Sequence, residues 1–249
     1  MSVETSREPV DADIRVRSHG TNRLPSCGLC LAFIALHAPL AVAMRIWPVV
    51  ATVHAISSLA IGLVFSLSGR RCSVRPMLAA GYIVGAEVLW RMMRAHVFWE
   101  FGKYAVSLLL LLAIFRRRTL PVRALAPICY FTLLLPSTLL WFGQEWETAR
   151  KAISFNLSGP FCLAVCAAYF SAVRIDWPVA RRLLLSIAAP MVGTAAGALW
   201  TLATAGHIEF TTESNFLASG GFGPVQVSQS LGLGILCCWM LLLVESRRS

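Results

Sequence analysis

A polar, glycine-rich segment precedes the last apolar stretch of the chain and has the composition of a ligand-binding loop. It reads SNFLASGGFGPVQVSQSLGLG from Ser214 to Gly234. Gly220, Gly221 and Gly223 permit positive φ angles and close approach of the backbone to a ligand. Pro224 suits the first turn of a helix, whose free N–H groups attract anions. The same pattern is typical of a tight, well-packed turn, so residues elsewhere must decide between the two interpretations.

Five charged residues near one predicted helix connection form a second candidate site. They lie in the segment GAEVLWRMMRAHVFWEFGKY and are Glu87, Arg91, Arg94, Glu100 and Lys103. Glu87 and Arg91 are four residues apart, so they can pair on one helix face. Arg94 and Lys103 then remain to bind an external anion such as a pyrophosphate. An ion-pair network that fixes two helices beside aromatic residues of the membrane interface explains the same residues equally well.

Histidines and carboxylates on the predicted outer side are the candidate general bases. They are the histidines His96 and His207 and the carboxylates Glu145, Glu147, Glu209 and Glu213. None has a sequence neighbour that marks it as a base, and His207 and Glu213 are retained as weak catalytic candidates because of their proximity to the glycine-rich segment. His37 and His54 lie toward the outer ends of the first two apolar stretches and can face each other. We expect a structural role for this pair.

The eight cysteines are interpreted as packing residues. Most lie inside apolar stretches, where cysteine behaves as a small apolar residue. Cys27 and Cys30 form a CxxC pair, but no second pair or histidine lies at zinc spacing. Cys162 and Cys166 share a helix face and favour close helix contact. We therefore predict neither a metal site nor a disulfide.

Composition assigns the chain to the polytopic membrane proteins. Of its 249 residues, 57% are hydrophobic and 14% are charged, and the mean hydropathy is +0.68. Stretches able to cross about 30 Å of hydrocarbon predict an all-α bundle of about eight spans. They lie at residues 26–44, 47–68, 77–93, 104–115, 121–142, 155–173, 183–204 and 225–244. The fourth is short between Lys103 and Arg116, and we expect its helix to begin within 98–104.

The basic residues predict the orientation of the bundle. The net charge is +10, but the charges form short clusters between the spans, which argues against nucleic-acid binding. Cytoplasmic loops carry an excess of Lys and Arg. With the N-terminus in the cytoplasm, the only outer members of the 22 Lys and Arg residues are Arg45, Arg91, Arg94, Lys103, Arg150 and Lys151. The loop 205–224 has no Lys or Arg and is predicted to face outward.

The chain is predicted to form one membrane domain. Residues 1–23 mix acidic and basic side chains without an apolar core, so they are a cytoplasmic polar tail and not a signal peptide. Residues 24–249 form the membrane-embedded part, in contact with the lipid bilayer. No internal repeat is apparent, which gives no support to the paired halves of many transporters.

Two motifs resemble segments of bacterial O-antigen ligase-like membrane proteins, a family related to the O-antigen polymerases. The motifs are GAEVLWRM…FWEFGKY and SNFLASGGFGPVQVSQSLGLG, and the resemblance extends over most of the spanning region. It implies a helical glycosyltransferase of the bacterial inner membrane that uses a polyprenyl-pyrophosphate-linked glycan at the outer face. It also implies that the reaction needs no nucleotide sugar, no metal and no other cofactor.

The resemblance implies that the glycine-rich loop and the start of the following helix handle the donor. The residues assigned to this site are Ser219, Gly220, Gly221, Gly223, Gln226 and Ser228, with Asn215, Glu87 and Glu100 in support. Departure of a pyrophosphate creates negative charge that cationic side chains and helix N-termini can stabilise. Arg91, Arg94 and Lys103 are the cationic candidates for that role.

Two departures limit what the resemblance carries over. Val225 replaces the asparagine of the commonest form of the motif, FGPNQVS, while Gln226 and Ser228 keep the pattern. Family members also continue into further spans and a large periplasmic loop, whereas this sequence stops at Ser249. We therefore expect a split or truncated gene product, a second polypeptide that supplies the missing spans, or a loss of catalysis.

Two hypotheses about function remain open at this stage. The first is an O-antigen ligase-like glycan transferase, or its donor-binding N-terminal half. The second is a non-enzymatic membrane protein, such as a transporter or assembly partner that binds a lipid-linked saccharide without turning it over. The sequence leaves open whether the chain is an enzyme.

Overall fold

The computed structural model describes residues 27–68, 74–117, 124–206 and 215–246. These residues form eight α-helices and a 3₁₀ helix, joined by turns. The helices are α1 (Cys27–Ile46), α2 (Pro48–Ser68), α3 (Arg75–Met92), α4 (Phe101–Arg117), α5 (Leu125–Leu134), the 3₁₀ helix (Leu135–Trp141), α6 (Trp146–Ser171), α7 (Trp177–Thr204) and α8 (Pro224–Ser246). The predicted tail 1–23 and the candidate bases His207, Glu209 and Glu213 lie outside the described residues.

Each predicted apolar stretch coincides with a helix, but two helices begin more than one turn before the predicted stretch. The start of α4 at Phe101 confirms the expected boundary within 98–104. In contrast, α6 begins at Trp146 and α7 at Trp177, because polar residues such as Arg150 and Arg181 are included in these helices ahead of the apolar stretch. The fifth stretch changes from α-helix to 3₁₀ helix after Leu134. The change occurs near Pro136, because proline has no N–H to donate to the preceding turn of an α-helix.

The helices identify the chain as a multi-pass membrane protein. Five of those described, α1, α2, α6, α7 and α8, are long and apolar enough to cross a membrane. The α5 helix and the 3₁₀ helix together form a shorter apolar segment, Leu125–Trp141. Large apolar side chains such as Leu133 and Leu140 are exposed on this segment, as expected of a surface that faces lipid.

Helix α3 lies at the centre of the bundle. It packs against α2, α4, α7 and α8, and many of its side chains are buried. Small residues permit the close approach, since a Cβ at Gly85 would collide with the carbonyl oxygen of Ile187 on α7, and one at Gly197 of α7 would lie 2.7 Å from Met92 Cε. Membrane helices commonly associate through such small residues. Because α3 is covered by other helices, it can carry charged residues.

The cysteine pair on α6 has the packing role that its spacing predicted. Cys162 and Cys166 are partly buried and pack against the core that α3, α4 and α6 share. Tyr169, one turn further along the same helix, is fully buried in that core. The small side chains allow α4 and α6 to lie side by side.

A chain of partly buried hydrogen bonds connects α1, α2 and α3. Tyr82 Oη of α3 lies 3.0 Å from His37 Nε2 of α1 and 2.8 Å from His54 Nε2 of α2. Trp90 Nε1 donates to His54 Nδ1 at 2.8 Å, and His37 Nδ1 lies 2.9 Å from the carbonyl oxygen of Phe33. The two histidines, which the sequence allowed to face each other, are instead bridged by a tyrosine that the sequence did not indicate.

Only one arrangement of protons satisfies this whole chain. The indole of Trp90 can only donate, so His54 Nδ1 must accept and its Nε2–H donates to Tyr82. The Tyr82 hydroxyl then donates to His37 Nε2. A backbone carbonyl can only accept, so the remaining His37 proton is on Nδ1. Both imidazoles are therefore neutral, and every member of the chain has a partner.

Removing the central hydroxyl is expected to destabilise the bundle. Tyr82→Phe leaves a donor on His54 and an acceptor on His37 unpaired between three helices, at a partly buried position. The expected loss of unfolding free energy is about 1–2 kcal/mol, between the value for a membrane-helix hydrogen bond and that for an unsatisfied buried group. Thermal or SDS unfolding of the purified protein measures it.

Tyr104→Phe is the matched control for this prediction. Its hydroxyl lies 3.0 Å from Ser154 Oγ on the exposed surface, where water replaces the lost bond. We expect less than about 0.5 kcal/mol of destabilisation. Equal losses in the two variants would show that the Tyr82 bridge does not hold the three helices together.

Candidate functional site

Most of the predicted site residues lie at one end of the bundle. The chain direction brings the α1–α2 junction, the α3–α4 connection (93–100) and the glycine-rich turn (215–223) to the same end. We call this the loop end. The connection is fixed to α2, because Thr52 Oγ1 accepts a hydrogen bond from the backbone N–H of His96 at 2.9 Å.

The glycine-rich turn is folded by hydrogen bonds within its own sequence. Asn215 Oδ1 accepts from the N–H of Ala218 at 2.9 Å, and the N–H of Gly221 donates to the carbonyl of Phe216 at 2.8 Å. The buried hydroxyl of Ser219 lies within hydrogen-bond distance of three carbonyls, including that of Phe222. Asn215 and Ser219, both predicted site residues, therefore shape the turn.

Two adjacent glycines have left-handed backbone conformations, but only the first is tightly packed. Gly220 (φ +77°) is buried, and a Cβ there would lie 2.6 Å from Met92 Sδ and 3.4 Å from Ala198 Cα. Gly221 (φ +79°) is exposed, and its nearest neighbour would be Arg45 at 3.9 Å. Gly220 thus seats the turn on α3 and α7, while Gly221 presents backbone to the surface.

Helix α8 begins immediately after the turn. Pro224 occupies its first turn, and Val227 donates its N–H to the carbonyl of Gly223 at 3.1 Å. The Gln226 side chain folds back over Gly223, where a Cβ would collide with it. Ser228 donates to the carbonyl of Val225 at 3.0 Å. Gln226 and Ser228 are both exposed, beside backbone N–H groups that have no acceptor within the helix.

Arg45 joins the turn from another helix. It lies in the last turn of α1, and its Nη1 donates to the carbonyl oxygen of Gly220 at 3.4 Å. A guanidinium carries five N–H donors, so this bond leaves donors beside Gly220 and Gly221. The sequence analysis placed Arg45 on the outer side but did not include it in the site. Its position in the last turn of a helix next to a predicted outer junction was the available signal.

The predicted ion pair on α3 is confirmed. Arg91 pairs with Glu87 one turn earlier. A Cβ at Gly102 of α4 would lie 2.6 Å from Glu87 Cδ, so this glycine makes room for the carboxylate. Arg91 also donates to the carbonyl of Trp99, and its guanidinium lies 4.3 Å from the centre of the Trp99 ring. The pair fixes the α3–α4 connection to the end of α3.

Trp99 also links this ion pair to the glycine-rich turn. The rings of Trp99 and Phe222 lie 6.1 Å apart between centroids, a distance at which aromatic rings attract one another. Phe222 packs in turn against the apolar core of α1, α3 and α8. The two motifs that are distant in the sequence therefore meet, through residues that the sequence analysis did not single out.

Arg94 occupies a strained position. It follows the end of α3 with φ +57°, a conformation usually reserved for glycine. The N–H of Arg94 donates to the carbonyl of Arg91 at 3.1 Å, and that of Ala95 to the carbonyl of Trp90 at 2.9 Å, which is the pattern of a glycine-terminated helix. The side chain is exposed. Within the described part of the chain it makes no hydrogen bond or ion pair.

Lys103 and Glu100 face a different neighbour. Lys103 Nζ donates to Ser158 Oγ of α6 at 3.3 Å. Glu100 lies beside the first turns of α6. The structure thus brings Arg91 to the glycine-rich turn but directs Lys103 and Glu100 to α6, so the predicted cluster divides into two groups.

The arrangement around the turn favours anion binding. Among the described residues, Arg45 contacts the turn directly, and Arg91 reaches it through Trp99 and Phe222. Arg45 lies beside Gly220 and Gly221, just before α8, and the N-terminus of a helix stabilises negative charge. A phosphate or pyrophosphate group can accept hydrogen bonds from the guanidinium groups and the backbone together.

The two left-handed glycines are expected to respond differently to alanine. Gly220→Ala adds both backbone strain and a collision with Met92, whereas Gly221→Ala adds strain alone. We expect a loss of about 1 kcal/mol for Gly221→Ala and of about 2–4 kcal/mol for Gly220→Ala. Thermal unfolding measures both. A smaller loss at Gly220 would mean that the turn does not rest on α3.

Replacing Arg94 with glycine is expected to stabilise the protein. Glycine adopts the left-handed conformation without a Cβ penalty, so the unfolding free energy of Arg94→Gly should rise by about 1 kcal/mol. Arg150→Gly, at an exposed position within α6, is the control and should lower it by about 1 kcal/mol. Destabilisation by Arg94→Gly would contradict the strain assigned to this residue.

No family model, curated protein or solved structure matches this chain. The functional proposal is therefore supported by the motif resemblance given above and by the geometry of the loop end.

Proposed function

We propose that the chain handles a polyprenyl-pyrophosphate-linked glycan at the outer face of the bacterial inner membrane. It acts as an O-antigen ligase-like glycan transferase or as the donor-binding half of one. The proposal includes eight spans with the N-terminus in the cytoplasm, so that the loop end faces outward. The observation that carries it is the contact of the glycine-rich turn with Arg45 and, through Phe222 and Trp99, with Arg91.

The proposed reaction requires stabilisation of a leaving pyrophosphate. An acceptor hydroxyl attacks the sugar carbon attached to the pyrophosphate, and the departing group gains negative charge. Guanidinium groups bind phosphate oxygens in a bidentate manner, and their effect is greatest where water is excluded. Arg45 and Arg91 meet this need from two helices, and exposed Arg94 adds charge at the rim. The backbone of Gly221 can approach the phosphate because no side chain intervenes.

Two carboxylates at the loop end are held in ion pairs, so the general base for transfer is expected elsewhere. Glu87 pairs with Arg91, and Glu147 pairs with Arg150 and Lys151, so neither carboxylate is suited to act as a base. His96, His207 and Glu213 stay candidates from the sequence. In the proposed scheme the base comes from one of these residues or from a second polypeptide. The alternative is a membrane protein that binds the lipid-linked saccharide without turning it over.

Binding of a polyprenyl-pyrophosphate saccharide in nanodiscs, with a transfer assay on the same sample, tests the proposal. We expect Arg45→Ala, Arg91→Ala and Arg94→Ala each to weaken binding. The loss should be about tenfold or more for the first two, because a charge-assisted hydrogen bond contributes about 1.5–3 kcal/mol. Binding should also weaken as salt is added.

Arg75→Ala is the matched control, since Arg75 begins α3 at the end opposite to Arg91 and lies over the Phe65 ring. Its affinity should equal that of the wild type. Binding without transfer would support a donor-handling half, and transfer would support a complete enzyme. Absence of binding by the wild-type chain would refute the proposal and would leave helix packing as the role of the turn.

A further inference from the structure

A cleft at the loop end lies next to the glycine-rich turn. It is an open cleft of about 760 Å³ between the α3–α4 connection, the end of the 3₁₀ helix and the first turns of α6. Its volume is in the range of small-ligand sites. The cleft is formed largely by residues that the pyrophosphate proposal does not use.

Aromatic side chains from three elements meet in this cleft. Trp99 belongs to the α3–α4 connection, Trp141 ends the 3₁₀ helix and Phe155 lies on α6. Flat rings of this kind pack against the C–H faces of pyranose sugars and bury apolar area there. Interfacial aromatic residues that only anchor a bundle are spread around its circumference, whereas these converge on one concave surface.

The polar groups of the cleft suit an uncharged, hydroxyl-rich ligand. Arg150 and Lys151 bind Glu147 at 2.9 and 3.2 Å, and Glu100 adds a second negative charge, so the four charges cancel. Asn156 donates its amide N–H to the carbonyl of Ala152 at 2.9 Å, which leaves its Oδ1 as an acceptor. Amide, carboxylate and hydroxyl groups in the same wall can bind sugar hydroxyls.

Trp99 connects the cleft to the glycine-rich turn. Trp99 lines the cleft and also contacts Arg91 and Phe222. A molecule with an anionic group at the turn and a neutral group attached to it would extend past Trp99 into the cleft. The guanidinium of Arg45 beside the turn and the neutral lining of the cleft thus correspond to the two parts of a sugar pyrophosphate.

We infer that this cleft binds the saccharide part of the lipid-linked donor, with Trp141 as its main stacking residue. The inference rests on the proposed function, because it assumes that the pyrophosphate lies at the turn. It adds a site for a neutral saccharide on α6 and the 3₁₀ helix, elements that neither sequence motif includes.

Binding of two different lipids distinguishes the cleft from the pyrophosphate site. The probes are polyprenyl pyrophosphate and the same lipid carrying a neutral N-acetylhexosamine disaccharide, bound to the full chain in nanodiscs. We expect the wild type to bind the sugar-bearing lipid about tenfold more tightly. Trp141→Ala should lower this preference by about threefold to tenfold, the contribution of one aromatic contact. Its affinity for the sugar-free lipid should be unchanged, which also shows that the variant is folded.

Three further variants complete the test. Trp141→Phe keeps a flat ring and should retain most of the preference. Asn156→Ala changes an exposed side chain and should lower the preference without affecting folding. Trp146→Ala is the matched control, because Trp146 is 76% exposed at the start of α6 and does not line the cleft. It should behave as the wild type.

The outcomes distinguish this inference from the proposed function. Binding of neither lipid would overturn both. Equal binding of the two lipids, or an unchanged preference in Trp141→Ala and Asn156→Ala, would overturn the saccharide cleft and leave pyrophosphate binding intact. Loss of the preference in Trp146→Ala as well would assign the effect to α6 in general and would likewise overturn the cleft.

Discussion

The position of α3 is the constraint on which the loop end depends. No water is present in a bilayer interior to satisfy a polar group, so the buried polar side chains of α1, α2 and α3 must satisfy one another. The chain from Trp90 through His54 and Tyr82 to His37 does so with a single proton arrangement. These hydrogen bonds between neutral groups fix α3 against α1 and α2 without any contribution from charged groups. Its end carries Arg91 and Met92, and the glycine-rich turn rests on the latter.

The loop end combines two environments of different charge. Among the described residues, the turn is contacted by Arg45 of α1 and, through Trp99, is linked to Arg91 of α3, whereas beside α6 the charges cancel in ion pairs with Glu147. Trp99 lies at the boundary, and the Arg91–Glu87 pair holds it there. Gly102 is essential to this arrangement, because any side chain at that position would displace Glu87. The division of charge therefore depends on packing between α3 and α4.

The sequence predicted what depends on neighbours along the chain. Helix positions followed from apolar stretches, the Glu87–Arg91 pair followed from a four-residue spacing, and the start of α8 followed from Pro224. Contacts between distant segments were beyond its reach. Helices that are apolar on all sides give no periodic signal for their rotation, so neither the Tyr82 bridge nor the contact of Arg45 with the turn could be derived. The prediction for Lys103 failed for the same reason. The residue type and its place in the sequence suited an anion site, but its side chain lies on the face of α4 that contacts α6.

The turn, Arg45 and Arg91 are proposed to form one site for a lipid-linked pyrophosphate. Photo-crosslinking can locate this site with a polyprenyl-pyrophosphate saccharide that carries a diazirine on the isoprene unit next to the pyrophosphate. We expect labelled peptides from the turn and from the ends of α1 or α3, and excess unmodified lipid should abolish the labelling. Labelling confined to α5 or to the opposite end of the bundle, or labelling that excess lipid does not reduce, would show that the pyrophosphate does not bind at the turn.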